Sequence, residues 1–328
     1  MSQKNETSIL ILSLIITSIL TTVSFWWFTS RTGLNTSNSI SDRSSYADKY
    51  NRETFAEVQG VPKGLFNYGG STTWATIRKE IDPALQTVWP QFRLRYTQPN
   101  ISIPSSGTGI QMLLDNQLSF AQSSVSIQDK DYEKAKQKGF TLVEVPVAID
   151  AFAAVVHPNL NIPGITVGQL NDIYAGKITN WQEVGGPNLK IKAYRKGTPD
   201  SESHLEFVPT TTDALRKVAN ESGAIFQASA PLLISQCKVK PLPLGRTSNK
   251  FITPYKEPFI PLSECPNKRN QVNLVAFQSG EYPLTRRLFV VIKKNGQLDE
   301  RAGEAYANLL LTNQGQELIE KAGFVRIR

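Results

Sequence analysis

The chain is poor in the residues that most often carry chemistry, with two cysteines and two histidines among 328 residues. Cys237 and Cys265 form no CxxC pair and belong to no Cys/His cluster with metal-ligand spacing, which argues against a zinc site. His157 precedes Pro158 at what reads as a strand end, with no Cys, Asp or second His near it. His204 lies between Glu202 and Glu206, but residues two apart on a helix point to different faces. Neither a G-x-S-x-G elbow nor an H-E-x-x-H pair occurs, so an enzyme is not expected and no cofactor is called for. Lys and Arg number 36 against 28 Asp and Glu, a net charge of +8 that suits an acidic ligand or surface. These cations are scattered, with no run of five or six, so nucleic acid is not an expected partner.

Long apolar runs are also scarce, with one exception at the N-terminus. Ser8 to Phe28 carries no charge and is long enough, as a helix, to cross a bilayer, with Trp26 and Trp27 at its interfacial end. No small-residue cleavage pattern follows, so residues 1–30 read as an uncleaved anchor rather than a removed signal. No cysteine follows either, which excludes a lipid-modified N-terminus. Residues 31–60, rich in Ser, Asn and Thr, read as a flexible linker, with a short helix expected over Arg52 to Val58.

Beyond the linker, three loops of small and hydroxyl residues stand between strands and helices. The first is Tyr68-Gly-Gly-Ser-Thr-Thr73, where glycines allow close backbone approach and hydroxyls cap a helix running towards Trp89. Taken alone this is an ordinary capped helix start. A second copy, Ser105-Ser-Gly-Thr-Gly109 before a helix over 110–117, makes it a candidate oxyanion socket, because helix N-termini present unpaired N–H groups to anions. Phe120 to Val125, a short strand ending in Ser123 and Ser124, supplies the third loop. Strand-turn-helix units in succession predict largely parallel sheet, with the ligand beyond the carboxyl ends of the strands.

Further along, Phe140 to Val147 and Ala151 to Val156 read as two strands separated around Asp150, which reads as structural. Thr166 to Gly176 reads as a capped helix closed by glycine. Leu189 to Arg195 reads as a strand that places Arg195 at the cleft, and residues 239–266 as irregular. Val272 to Phe277 and Leu288 to Lys293 are expected strands, and Gly303 to Ala322 one long helix.

Four segments together resemble a known family, the substrate-binding proteins of ABC transporters for phosphate. They are Tyr68-Gly-Gly-Ser-Thr72; Ser105-Ser-Gly-Thr-Gly109; Ile165 to Gly186 with its Leu-Asn-Asp-Ile-Tyr-Ala-Gly-Lys-Ile-Thr-Asn-Trp core; and Gly280-Glu-Tyr-Pro-Leu-Thr-Arg286 with Asn313 to Phe324. The resemblance implies an α/β, two-lobed periplasmic-binding-protein fold of type II, each lobe a mostly parallel sheet flanked by helices, following the N-terminal transmembrane helix. Lobe 1 would comprise residues 62–150 and 268–328, and lobe 2 residues 151–267. It implies capture of phosphate between the lobes, delivery to permease subunits, a monomer, and a location in the periplasm on the outer face of the inner membrane. Such a chain, being exported, would bridge Cys237 to Cys265.

Carried over by motif, the ligand-binding residues are Thr72, Thr73, Ser105, Ser106, Gly107, Ser124, Arg195 and Ser201, with no metal. Two departures stand out. Ser124 occupies the place where the phosphate proteins have an aspartate that accepts a proton from the ligand and repels sulfate. Gly197-Thr-Pro-Asp-Ser201 replaces the family's Ser-Gly-Thr after the arginine. The alternative reading is a protein that binds or senses another oxyanion, such as sulfate or molybdate.

Overall fold

A computed structural model describes residues 52–198 and 204–328. The expected membrane anchor, nearly all of the expected linker, and Ser201 lie outside the described residues. Among the described residues no helix is long and apolar enough to cross a membrane.

The described chain begins with a 3₁₀ turn, Phe55–Glu57, inside the segment read as linker. Phe55 and Val58 are nonetheless buried, and the N–H groups of Asn313 and Gln314 donate to the carbonyls of Arg52 and Glu53. There follow β1 (Gly64–Gly70), α1 (Ala75–Val88), β2 (Phe92–Tyr96), α2 (Ser106–Leu114), β3 (Phe120–Ser123), α3 (Asp129–Gln137) and β4 (Thr141–Val156). The middle of the chain gives β5 (Ile165–Thr166), α4 (Val167–Tyr174), β6 (Lys192–Lys196), β7 (Glu206–Val208), α5 (Thr211–Asn220), β8 (Ala224–Ser229) and α6 (Ala230–Leu233). Then come β9 (Lys240–Leu242), β10 (Leu244–Thr247), β11 (Lys250–Ile252), α7 (Leu274–Gln278), β12 (Thr285–Lys294), α8 (Leu298–Leu310) and α9 (Asn313–Lys321).

The fold is mixed α/β in two lobes. One continuous sheet runs β2-β1-β3-β12-β4-β8-β6-β7, with β9 also on β4. The outer pairs are parallel, β1 with β2 and β3, and β6 with β7 and β8. At the centre β12 runs antiparallel to β3 and β4, and β4 antiparallel to β8 and β9. The expectation of mostly parallel sheet is therefore corrected to a mixed one. The reason is topological: the segments that pass between lobes return in the opposite sense and pair along the middle. The second half of α/β units, from β5 onward, adds a small sheet, β11-β10-β5, in which β10 and β11 come from the stretch read as irregular, as does β9 on the main sheet.

The two strands expected around Asp150 are one strand of 16 residues, β4. Its first part pairs with β12 and its end with β8, so it belongs to both lobes. A buried carboxylate can sit in this continuous strand because partners lie opposite: Asp150 is in register with Arg286 and accepts from its Nε at 3.1 Å and from Ser229 Oγ at 2.6 Å. Residues 272–277 are not a strand either. Asn273 caps α7 by accepting from Ala276 N. The single helix expected over 303–322 is two, because Thr312 accepts from Gly315 N and starts a new helix after Leu311.

Each lobe has its own core. Phe66, Tyr68, Trp74, Ile77, Ile81 and Tyr306 anchor one, and Trp181, Ile173, Ile225, Phe226 and Leu233 the other. Ala276, Phe277 and Tyr282, placed by sequence in lobe 1, are buried with the second core. Cys237 and Cys265 are joined in a disulfide with Cα atoms 5.7 Å apart.

Candidate functional site

The three hydroxyl loops meet at the carboxyl ends of β1 and β3, held by backbone geometry rather than by chance proximity of side chains. Gly70 ends β1 at φ +122, a conformation open to glycine, and a Cβ there would lie 2.3 Å from the carbonyl oxygen of Gln122. Ser71 then donates its N–H to that same carbonyl at 2.8 Å, tying the first loop to the third. Trp74, fully buried, donates its indole N–H to Ser123 O at 3.1 Å. The second loop is closed by a reciprocal cap: Ser105 Oγ accepts from Thr108 N at 3.1 Å and Thr108 Oγ1 accepts from Ser105 N at 2.8 Å.

At the junction the hydroxyls interlock. Ser124 Oγ is 3.0 Å from Ser71 Oγ and 3.2 Å from Ser106 Oγ, while Ser124 N donates to Ser106 Oγ at 3.0 Å. The three serines are buried beneath a cavity of about 510 Å³. Thr72, Thr73, Ser105, Ser106, Gly107, Ser124 and Arg195 all line it. The structure thus brings together seven of the eight positions taken from sequence, the eighth, Ser201, lying outside the described residues. Thr73 N–H donates to Ser71 Oγ at 3.3 Å, so that amide closes its own turn. Neither histidine lines the cavity; His157 faces a separate depression beside the disulfide.

The far wall comes from the second lobe: Tyr174, Tyr194, Phe226, Gln227, Ser229 and Leu232, with Phe152 from β4. Arg195 is exposed at the end of β6, its guanidinium carbon 6.0 Å from the Tyr174 ring centroid. Two cations that sequence reasoning did not place in the site also line it. Lys196 donates from Nζ to Thr72 Oγ1 at 2.6 Å and to Pro104 O at 3.4 Å. Arg286 donates from Nη2 to Thr73 Oγ1 at 3.1 Å and lies 4.5 Å over the Phe152 ring. Burial lowers the Lys196 pKa and raises that of Asp150 to about 6, the latter opposed by Arg286 and the Ser229 hydroxyl. Among the described residues no carboxylate lines the cavity, and Asp150 sits behind Arg286, fully buried. The available signals were the Arg195-Lys196 pair and the arginine closing the Gly280 to Arg286 block; strand register, which sets Arg286 opposite Asp150, cannot be read from one segment.

Such a site can hold a small oxyanion by hydroxyls, backbone N–H groups and cations. A two-lobed fold with this site at the junction of the strands defines a solute-binding class. Residues 62–314 match the PBP superfamily domain PBP_like_2, and the chain belongs to that superfamily. Protein SphX of Synechococcus elongatus is 26% identical over 289 residues, covering 80% of this chain and 77% of that protein. The phosphate-binding protein PstS of Staphylococcus saprophyticus is 23% identical over 275 residues, covering 82% of each. Among solved structures, the Clostridium perfringens substrate-binding protein crystallised with bound phosphate matches with a TM-score of 0.61 at 19% identity, over 81% of this chain and all of that one. An ABC-type phosphate transport receptor from Vibrio cholerae matches at 0.58 and 18%, over 80% of this chain and all of that one.

Proposed function

We propose that this chain is an extracytoplasmic solute-binding protein that captures inorganic phosphate between its lobes and delivers it to an ABC-type permease. The carrying observation is the meeting of Ser71, Ser106 and Ser124 under a cavity rimmed by cations. The relatives named as phosphate-binding proteins support the choice of anion. Thr72, Thr73, Ser105, Ser106, Gly107 and Ser124 face the ligand from lobe 1, and Arg195 with Ser201 from lobe 2. Lobe 1 takes residues 62–150 and 268–328 and lobe 2 residues 151–267, except that Ala276, Phe277 and Tyr282 pack with the core of lobe 2. Residues 1–30 anchor the protein to the periplasmic face of the inner membrane, and it works as a monomer without catalysis on its ligand.

Hydroxyls and N–H groups can desolvate an anion because each charge-assisted bond contributes about 1.5–3 kcal/mol. A ligand touching both lobes favours their closure, and about 5.5 kcal/mol of preference would move a 1:99 population to 99:1. The closed form is what a permease would recognise.

Ser124 supports a second reading. A serine hydroxyl donates as well as accepts, so this third loop does not repel fully ionised anions as a carboxylate would. Sulfate or molybdate, for uptake or for sensing, is therefore the competing assignment. Calorimetric titration of the full chain with phosphate and with sulfate, each at two pH values, decides between them. Tight phosphate binding with sulfate silent supports the first reading; sulfate binding, or neither, sinks it. Loss of uptake against loss of a transcriptional response, in a strain lacking the protein, separates transporter from sensor.

A further inference from the structure

We infer that Lys196 and Arg286 prime Thr72 and Thr73 as ligand donors and make the site select tetrahedral oxyanions by their charge, favouring dianions over monoanions. The inference rests on the oxyanion reading above and names the class of anion.

A hydroxyl has one hydrogen to give and two lone pairs to receive. Lys and Arg only donate. When Lys196 Nζ gives a hydrogen to Thr72 Oγ1 at 2.6 Å, the threonine must accept, and its own hydrogen is left to point elsewhere. Arg286 does the same to Thr73 Oγ1 at 3.1 Å. Both threonines line the cavity, so each hydroxyl hydrogen is oriented for an acceptor there. A water-exposed threonine would have to surrender that orientation on binding. Here it is set beforehand, which lowers the ordering cost of binding.

The two cations arrive from different elements, Lys196 from β6 and Arg286 from β12, yet converge on adjacent residues of one loop. Their environments are unequal. Asp150 neutralises part of Arg286 through the 3.1 Å contact with Nε, and Ser229 holds Asp150 in place. Among the described residues Lys196 has no carboxylate within ion-pair distance, and its side chain is half-buried. With Arg195 the cavity has three cations, and among the described residues none of its lining groups is anionic. Attraction to a fixed cation scales with ligand charge, so each cation favours a dianion over a monoanion of the same shape.

The test uses the full chain titrated calorimetrically at one mildly alkaline pH with phosphate and sulfate as dianions and perchlorate as a tetrahedral monoanion. The wild type should bind at least one dianion much more tightly than perchlorate. Lys196→Gln and Arg286→Gln should each narrow that gap by about tenfold or more, whereas Lys196→Arg and Arg286→Lys should largely keep it. Should Arg286→Gln fail to fold, judged by its thermal transition, Lys196→Gln carries the test alone. Dianion binding with a gap unchanged in Lys196→Gln overturns this inference and leaves the oxyanion reading standing. A wild type that binds none of the three anions overturns both.

Discussion

Gly109 lies so close to Gly70 that a Cβ on the former would be 2.4 Å from the Cα of the latter. This contact joins the first and second loops of the candidate site, since Gly70 immediately precedes Ser71 and Gly109 is in the first turns of α2. Two effects of Gly109→Ala oppose each other. Alanine in a helix is worth roughly 0.5–1 kcal/mol over glycine, but overpacking costs typically about 1–3 kcal/mol. The obstructing atom is backbone, so the clash should win. Denaturant unfolding should show a net loss of about 1–2 kcal/mol, and phosphate titration should show weaker binding because the loops are forced apart. A variant as stable as the parent would mean that the loops tolerate separation.

Arg195 reaches the cavity from the exposed end of β6, its guanidinium carbon 6.0 Å from the Tyr174 ring centroid. It is therefore little committed to the fold, and its removal should be felt in binding rather than in stability. Arg195→Ala should weaken anion binding by about 2 kcal/mol or more, as loss of a desolvated charge pair does, with the melting temperature little changed. Titration and a thermal melt on the same sample check both halves. Unaltered affinity would take Arg195 out of the site.

These two cases mark what was legible in the sequence. Local chemistry announces itself: the Thr166 cap and the glycine-hydroxyl loops are each contained within a few consecutive residues, although the second loop turns helical at Ser106, four residues before the helix expected over 110–117, because Ser105 rather than Gly109 caps it. Long-range pairing does not. Asp150 looks like a break between two apolar runs until β12 brings Arg286 opposite it, 136 positions away in the chain. Leu311 and Thr312 look like part of a helical stripe, and only the side-chain cap on Gly315 N shows that the helix restarts there. Arg195 was legible because it ends a strand; Lys196, next to it, was not, because nothing local says that its Nζ will cross to Thr72.

Ser124 offers a direct test of the third loop. Its hydroxyl already sits between Ser71 and Ser106, so a carboxylate in its place would accept from both and present its remaining lone pairs to the cavity. A negative charge there repels a ligand with no proton to share and accepts a hydrogen bond from one that has. In Ser124→Asp, sulfate should bind at least about tenfold more weakly while phosphate loses less, a gap of about 1.4 kcal/mol. Competition titrations read the ratio. Equal losses for the two ligands would show that the third loop does not touch the anion.

Stability should depend on pH through two buried carboxylates. Asp150 and Asp82 both have pKa values raised from 3.8 to about 6, in each case chiefly by burial, against the opposing pull of Arg286 and Ser229 on one and of Tyr68 and Arg78 on the other. The folded protein therefore holds these protons more tightly than the unfolded chain. By linkage, stability rises as pH falls from about 7 through about 6 and levels off near the unfolded value of 3.8. Each shift of about two units corresponds to roughly 3 kcal/mol between its limits. Below that window the groups with lowered pKa, Glu57, Asp115, Glu221 and Glu300, act in the opposite sense and turn stability down again. Thermal unfolding should thus give a higher melting temperature near pH 5 than near pH 7.5. Asp82→Asn keeps an acceptor for the Tyr68 hydroxyl, which bonds Asp82 Oδ2, while removing the titration, so it should flatten the slope and raise stability at the higher pH. A melting temperature that climbs from pH 5 to pH 7.5 would mean that Arg286 and Tyr68 outweigh burial and hold both carboxylates ionised.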